Sequence, residues 1–299
     1  ALEIHVAIWR RPFYLASCYT KTRRDVSQTP FFVTDNGKRQ KLGITSVEEQ
    51  ILPVIERYSR GISTLNNTAD QSSQVLYGMA KFHASGREDM DVRMVVPSMA
   101  EKETGKAEKI SGRPFVCEVI DAMSMPSIKD LRKIVTEINH DDRGDSGSTP
   151  STSYGNNPMG VGISPDLEFV SPSAFKNLQA QTEDKVKYYG CLCWSKEELP
   201  DSDVKLNELL GSFPLEIQQR TPIRVLHRRS NMIRVRHILT CSGTRIDNHY
   251  FRLHLSTDAG TYVKEFVHGD LGRTVPSVAL LLGCKSDILE LDCEGIKID

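Results

Sequence analysis

The 299-residue chain contains no apolar run that approaches the length of a membrane span, so it offers no segment for a transmembrane helix. Its first residues, Ala1-Leu2-Glu3-Ile4-His5-Val6, lack the basic start and apolar core of a signal peptide, and no initiator Met precedes them. Cysteine is sparse: seven residues, an odd number, at scattered positions. Cys191 and Cys193 stand two apart, and no Cys-x-x-Cys or Cys/His pair has zinc spacing. A disulfide scaffold and a cysteine-based metal site are therefore disfavoured, and buried, reduced thiols in an intracellular compartment (nucleus, cytoplasm or both) are the expectation. The eight His residues form no cluster with Asp or Glu at ligand spacing, which leaves a metal-dependent hydrolase without support.

Net charge is also nearly absent, at −1 from 38 Lys+Arg and 39 Asp+Glu. The average conceals a pattern. Residues 9–41 carry eight Lys/Arg (Arg10, Arg11, Lys21, Arg23, Arg24, Lys38, Arg39, Lys41) against Asp25 and Asp35, a local +6. Residues 219–238 carry six Arg and no acid, another +6. Two basic segments on a near-neutral chain fit a footprint for phosphates, and equally a pair of solvated faces.

The most informative stretch is Ala84-Ser85-Gly86-Arg87-Glu88-Asp89-Met90-Asp91-Val92-Arg93. Gly86 lets the backbone turn or approach a ligand closely. Arg87 or Arg93 could hold Asp89 ionised, and a positioned carboxylate serves nucleophilic or general-base chemistry. Taken alone, the decapeptide describes a charged surface turn just as well.

Gly86-Arg87-Glu88-Asp89 resembles the Gly-Arg-Thr-Asp signature around the catalytic aspartate of pseudouridine synthases. Four further segments, in family order, resemble the archaeal and eukaryotic tRNA pseudouridine synthases that act on uridines 54 and 55 of the TΨC arm. These are Tyr19-Thr20-Lys21 through Gln28-Thr29-Pro30, Ser111-Gly112-Arg113-Pro114-Phe115, Arg220-Thr221-Pro222 through Arg229, and Ala259-Gly260-Thr261-Tyr262-Val263-Lys264 through Asp270. Together they span nearly the whole chain. That family usually carries an RNA-binding region upstream of its catalytic domain, so the chain is expected to be a fragment, with residues 1–299 one catalytic domain.

Periodicity sketches the elements. Leu2–Ile8 and Phe31–Val33 read as strands, with a long exposed basic loop between them. Val47–Tyr58 has helical apolar spacing, with acids early and Arg57 late. Gln74–His83 alternates weakly and delivers the chain to Gly86, which sets Asp89 at a strand end or in the loop beside it. Phe115–Ile120, Lys187–Trp194, Ile233–Leu239, Tyr250–Ser256 and Ile288–Cys293 read as strands. Ser127–Ile138 reads as a helix capped by Ser127, Lys205–Leu210 as a short helical turn, and Thr261–Leu271 as a helix ending near Gly272. Residues 95–110 and 140–162 read as polar insertions, the second disordered because it holds almost no bulky apolar residue. The result is an α+β chain with a mixed, largely antiparallel sheet and packed helices. The resemblance implies the pseudouridine synthase fold, with a bent sheet and a central RNA-binding cleft.

The resemblance also implies roles. Asp89 is the carboxylate that works at the sugar, with Asp91 and Glu88 as supporting competitors. Tyr189 is the aromatic that stacks on the flipped base, matched through Lys187-Tyr188-Tyr189 with Tyr188 one residue away. Lys264 is the cation that pairs with the aspartate, and Leu289 packs under the base. Tyr19, Lys21, Arg23, Arg24 and Gln28 belong to one loop that grips tRNA, and Arg224, His227, Arg228 and Arg229 to the other. Arg87 joins the substrate-binding set. Cys18 and Ser27 depart from the family's usual basic residue and proline. The reaction is an isomerisation, so it needs neither metal nor cofactor. The expected partner is the TΨC arm of tRNA, met by a monomer away from membranes. The alternative is a catalytically silent RNA-binding protein that uses the same basic loops.

Overall fold

The computed structural model of the protein describes residues 10–60, 78–96, 110–139, 157–180 and 185–297. The strand expected at Leu2–Ile8, the start of the Gln74–His83 segment, and most of both expected insertions lie outside these residues. The chain divides into two compact units, one of residues 1–90 and 113–180 and the other of residues 91–112 and 181–299.

In the first unit the central strand is β1 (Phe13–Lys21). It pairs antiparallel with β9 (Arg113–Ile120), which pairs antiparallel with β6 (Met79–Ala84). The other edge of β1 carries β11 (Glu168–Val170) near its start and β10 (Val161–Ile163) at its end. β1 runs through the segment that reads as a long exposed loop. The reading fails because Ala16, Ser17 and Cys18 blur the alternation, although Phe13, Leu15, Ser17 and Tyr19 all face inward. A strand with neighbours on both edges needs side chains that fit as much as it needs apolar ones.

Two helices cover this sheet. α1 (Val47–Ser59) buries Val47, Ile51, Val54 and Ile55 and starts at Ser46, whose hydroxyl accepts from the Glu49 amide at 3.2 Å. α2 (Ile128–Asn139) buries Leu131, Ile134 and Ile138 and packs on α1. Its cap is reciprocal: Asp130 N donates to Ser127 Oγ at 3.2 Å, and Ser127 N donates to Asp130 Oδ2 at 3.0 Å. α3 (Pro172–Ala180) lies against β9. Short β2 (Val26–Ser27) runs parallel to β5 (Thr45–Ser46). An exposed hairpin of β3 (Phe31–Asp35) and β4 (Lys38–Leu42) turns through Asn36 and Gly37, at φ 47° and 76°. Asn-Gly is the dipeptide such a turn prefers. The end of the segment expected to be disordered is ordered instead. Asn157 Oδ1 accepts from Met159 N and Val161 N, both at 3.0 Å, and β10 then pairs with β1. Its turn-forming composition builds a turn there.

The second unit is an antiparallel sheet in the order β16 (Thr274–Val275), β13 (Leu215–Arg220), β14 (Ile233–Arg245), β15 (Tyr250–Thr257), β12 (Lys187–Ser195), β17 (Ser286–Lys297). Two short strands flank β17: β7 (Arg93–Met94), parallel, and β8 (Ile110–Ser111), antiparallel. Burial alternates along β15, with Phe251, Leu253 and Leu255 inside and Arg252 and His254 outside. α4 (Asp203–Leu210) packs on β14, and α5 (Val263–His268) packs on β17 and on α6 (Val278–Leu281). α5 stops three residues before the predicted end. Gly269 takes the left-handed conformation at φ 78° and caps the helix, an earlier stop than Gly272. The architecture is α+β with mostly antiparallel sheets, as the strand pattern predicts.

Candidate active site

Asp89 lies in the loop that follows β6, partly exposed, beside the exposed Arg87. Gly86 opens the loop at φ 78°, where a Cβ would be strained. Arg93, one candidate for keeping Asp89 ionised, is committed elsewhere. Its guanidinium makes a two-pronged contact with Asp292, Nε to Oδ1 at 2.8 Å and Nη2 to Oδ2, and this contact raises the Arg93 pKa.

Beneath the loop sits a buried polar cluster that explains its shape. Tyr19 and Lys21 are 0% exposed, Arg113 2%, Gln28 6% and Glu88 7%. Tyr19 Oη donates to Glu88 Oε1 at 2.7 Å, and Gln28 Nε2 donates to Tyr19 Oη at 2.8 Å. Arg113 Nε stands 2.6 Å from Glu88 Oε2, a charge contact off the line of a straight hydrogen bond. Burial, then the adjacent Glu88 carboxylate, push the Tyr19 phenol well above its ordinary pKa, so it donates as a neutral hydroxyl. Removing one member of such a buried ion pair costs roughly 3–5 kcal/mol, because the other charge is left uncompensated.

This cluster departs from one expectation. Tyr19 and Lys21, read as part of an RNA-gripping loop, are enclosed, and Lys21 Nζ donates to the carbonyls of Met90 at 2.8 Å and Arg23 at 3.3 Å. Neither side chain presents itself to a phosphate. Glu88, expected as a supporting carboxylate beside Asp89, is a buried partner of Arg113 and Tyr19. Arg23 is exposed but already balanced by Asp25, with Nε to Oδ1 at 2.9 Å and Nη2 to Oδ2 at 2.7 Å. Arg24 is half-buried nearby.

In the second unit, Tyr189 lies mid-strand on β12. Residues directly opposite on neighbouring strands face the same side of a sheet. Tyr189 stands opposite Leu255 on β15 and Cys293 on β17, and so shares its face with Lys187, Cys191 and Cys193, while Tyr188 faces the other way. A β-bulge between Tyr188 and Tyr189 makes Glu294 the extra residue on β17. The Glu294 carboxylate lies over Gly190, where an added Cβ would come within 2.2 Å of Oε1, and it also meets His254 Nδ1 at 3.2 Å. A larger residue beside Tyr189 would have to push the Glu294 carboxylate aside.

Lys264 is the second residue of α5, and its Nζ donates to Asp91 Oδ2 at 2.7 Å. The approach to the helix is clamped. Gln219, 1% exposed, receives the Tyr262 amide on Oε1 and donates Nε2 to the Tyr262 carbonyl, both at 2.9 Å. No sequence pattern singles out Gln219, which sits on a strand inside an arginine-rich run. Leu289 departs from its expected packing role. It is the extra residue of a second bulge on β17 and is 54% exposed.

The second basic segment forms a loop pinned at its base. Thr221 N donates to the Met232 carbonyl at 2.9 Å, and Thr221 Oγ1 donates to the Ser230 carbonyl at 2.6 Å. Arg273 Nη2 adds a bond to the Thr221 carbonyl at 2.7 Å. His227, Arg228 and Arg229 stand exposed beyond this base, whereas Arg224 Nε donates at 2.8 Å to the buried Glu265. A groove of about 1090 Å³ opens beside the loop, lined by Ile223, Arg224, Glu265 and Trp194 among others, and neither Tyr189 nor Lys264 lines it. Among the described residues no group of His, Cys, Asp and Glu is arranged to hold a metal ion, and no helix is long and apolar enough to cross a membrane.

Residues 14–297 match the family described as "Pus10, C-terminal". The human tRNA pseudouridine synthase Pus10 is 31% identical over 288 residues, covering 96% of this chain and 44% of its own length. The Xenopus laevis protein of the same name is 34% identical over 289 residues, covering 96% and 46%, and that of Pyrococcus furiosus is 30% identical over 292 residues, covering 95% and 59%. The chain thus spans about half the length of these relatives. Among solved structures, a Cbf5-Nop10-Gar1 complex overlaps 42% of this chain at a TM-score of 0.33 and 23% identity, too partial an overlap to bear on the fold. By the extent of the family match and the reach of these relatives along it, the chain belongs to the Pus10 C-terminal family.

Proposed function

We propose that this chain is the catalytic region of a tRNA pseudouridine synthase that isomerises uridine 55, uridine 54 or both in the TΨC arm. The observation that carries this reading is family membership along 14–297, combined with the Gly86-Arg87-Glu88-Asp89 signature on a partly exposed loop. The N1–C1′ bond of the uridine breaks, the uracil turns over, and a C5–C1′ bond forms while C5 loses a proton and N1 gains one. Atoms and electrons balance within the nucleotide. Taking the base out of its stack costs a few kcal/mol, offset by contacts in the site.

Asp89 acts at the sugar, either by attacking it or by assisting proton removal. Tyr189 stacks on the base, a contact worth roughly 1–3 kcal/mol, and can assist deprotonation of C5. The shared face of Lys187 and Tyr189 supports it over Tyr188, because the family's Lys-x-Tyr spacing puts both on one side of a strand. Lys264 supplies positive charge by the carboxylates of this segment. Arg87, Arg224, His227, Arg228 and Arg229 bind RNA with Arg23 and Arg24, and Leu289 contributes an exposed apolar surface. The test is nucleotide-resolution pseudouridine mapping of unmodified tRNA incubated with this chain and no additives. Product at position 54 or 55 is expected. Tight tRNA binding without product would favour the silent RNA-binding reading.

A further inference from the structure

The loop that carries Asp89 leaves β9 with one backbone bond, Ser85 N to the Pro114 carbonyl at 2.8 Å, and is then held by buried polar side chains. Arg113 Nη1 donates to the Ser85 carbonyl at 2.8 Å, and Gln28 Nε2 donates to the Gly86 carbonyl at 3.0 Å. Glu88 is seized on both carboxylate oxygens, by Tyr19 Oη at 2.7 Å and Arg113 Nε at 2.6 Å. Lys21 Nζ donates to the Met90 carbonyl at 2.8 Å. The residues on either side of Asp89 are thus both tied down, as are the two that precede Arg87. Arg87 is exposed and Asp89 partly exposed among these residues.

The cluster is expensive unless complete. Five polar side chains, two of them cationic and one anionic, are enclosed to within 9% of full burial, and each stays buried only while its partners stay in place. They come from separate stretches, the end of β1 (Tyr19, Lys21), the segment after β2 (Gln28), the loop itself (Glu88) and the start of β9 (Arg113). A purely structural core at this spot could be filled with apolar residues at no loss. What the polar cluster adds is a specified backbone path for residues 85–90.

Resting on the reaction proposed above, we infer that Tyr19, Gln28, Glu88 and Arg113 are positioning residues for Asp89, an internal bracket that fixes where its carboxylate stands. None of the four touches the uridine. Their effect runs through the loop, and misplacing a reacting group by about 1 Å can cost on the order of 10²-fold in rate.

Tyr19→Phe is the decisive variant, because it removes one hydroxyl, keeps the ring, and leaves the Glu88–Arg113 ion pair standing. Single-turnover pseudouridine formation and tRNA binding would be measured alongside amide hydrogen exchange of residues 85–90. The expected result is a rate lower by about 10- to 100-fold, tRNA affinity within about twofold, and faster exchange confined to the loop. The double variant Glu88→Leu with Arg113→Met removes both charges together, so that neither is stranded, and should reproduce the rate loss in a folded protein. A wild-type rate in Tyr19→Phe, or a loss that follows melting temperature with no change in loop exchange, would overturn the inference. A wild-type chain that makes no pseudouridine would instead refute the proposed function. The bracket would then stand or fall on loop exchange in Tyr19→Phe, with unchanged protection counting against it.

Discussion

The carboxylates of the Gly86–Asp91 segment differ in their surroundings. Glu88 is enclosed with Arg113, Asp91 is paired with Lys264 at 2.7 Å, and Asp89 is partly exposed on a held loop. Asn keeps the volume of Asp and most of its hydrogen bonds but removes the charge. Asp89→Asn should therefore lower pseudouridine formation by about 10⁴-fold or more while tRNA affinity holds or rises. Lys264→Met should lose about 10²-fold, because it removes a cation without touching the carboxylate. Asp91→Asn should lose less than about tenfold, as befits an ion pair whose acidic side chain is 63% exposed. Equal time courses for wild type and Asp89→Asn on one tRNA would sink the assignment. At this scale the sequence named the residue types well and their surroundings poorly. Tyr19 and Lys21 sit in a string of hydroxyls and cations that reads as a solvated loop, and nothing local reveals that Glu88 and Met90 fold over them.

Elements were legible where periodicity and punctuation agreed. α1 and α2 each carry an apolar stripe and a serine cap, and both lie within a residue of their predicted bounds. β1 is not legible in the sequence, because its identity depends on partners more than 90 residues away, with Leu15 facing Cys117 and Tyr19 facing Arg113. β4 is equally hidden although Asn36-Gly37 marks the turn, since Lys38–Leu42 is mostly charged and exposed along its first three residues. The α2 cap yields a test of pH dependence. The Ser127 hydroxyl, first of all, with Lys133 and the Ser127 amide, holds the Asp130 carboxyl down to about 2. An unfolded Asp titrates near 3.9, so the folded pKa is depressed. The stabilisation is therefore present above about pH 4 and is lost as pH falls towards 2. A carboxyl titration followed by NMR should place the Asp130 midpoint near 2, and Ser127→Ala should move it upward. A midpoint near 4 in the wild type would show that the cap does not form in solution.

For the whole molecule, the proposed function asks how a chain of net charge −1 would engage a polyanion. The two basic segments have equal formal charge, yet their surroundings make them unequal. In the first, Lys21 is buried, Arg23 is balanced by Asp25, and Lys41 donates to Glu49 at 2.6 and 2.8 Å. In the second, Arg224 is drawn to Glu265 and Arg234 Nη1 to Thr221 at 3.0 Å, but His227, Arg228 and Arg229 stand exposed on a loop whose base is pinned. A pinned loop holds its charges in place before binding, so little ordering entropy is lost when phosphates arrive. Each phosphate neutralised releases counterions and steepens the fall of log K with log salt, by about 0.7 per contact on single strands and 0.9 on duplex. Arg228→Ala with Arg229→Ala should therefore weaken tRNA binding broadly and flatten that slope by up to about two units. Arg23→Ala should change it by less than about half a unit, because Asp25 already offsets the charge that is removed. Titrations across a salt series would separate the two segments. Equal flattening by both variants would mean that the Arg23–Asp25 pair opens to meet RNA, and no flattening by the double variant would assign Arg228 and Arg229 to some task other than binding phosphate.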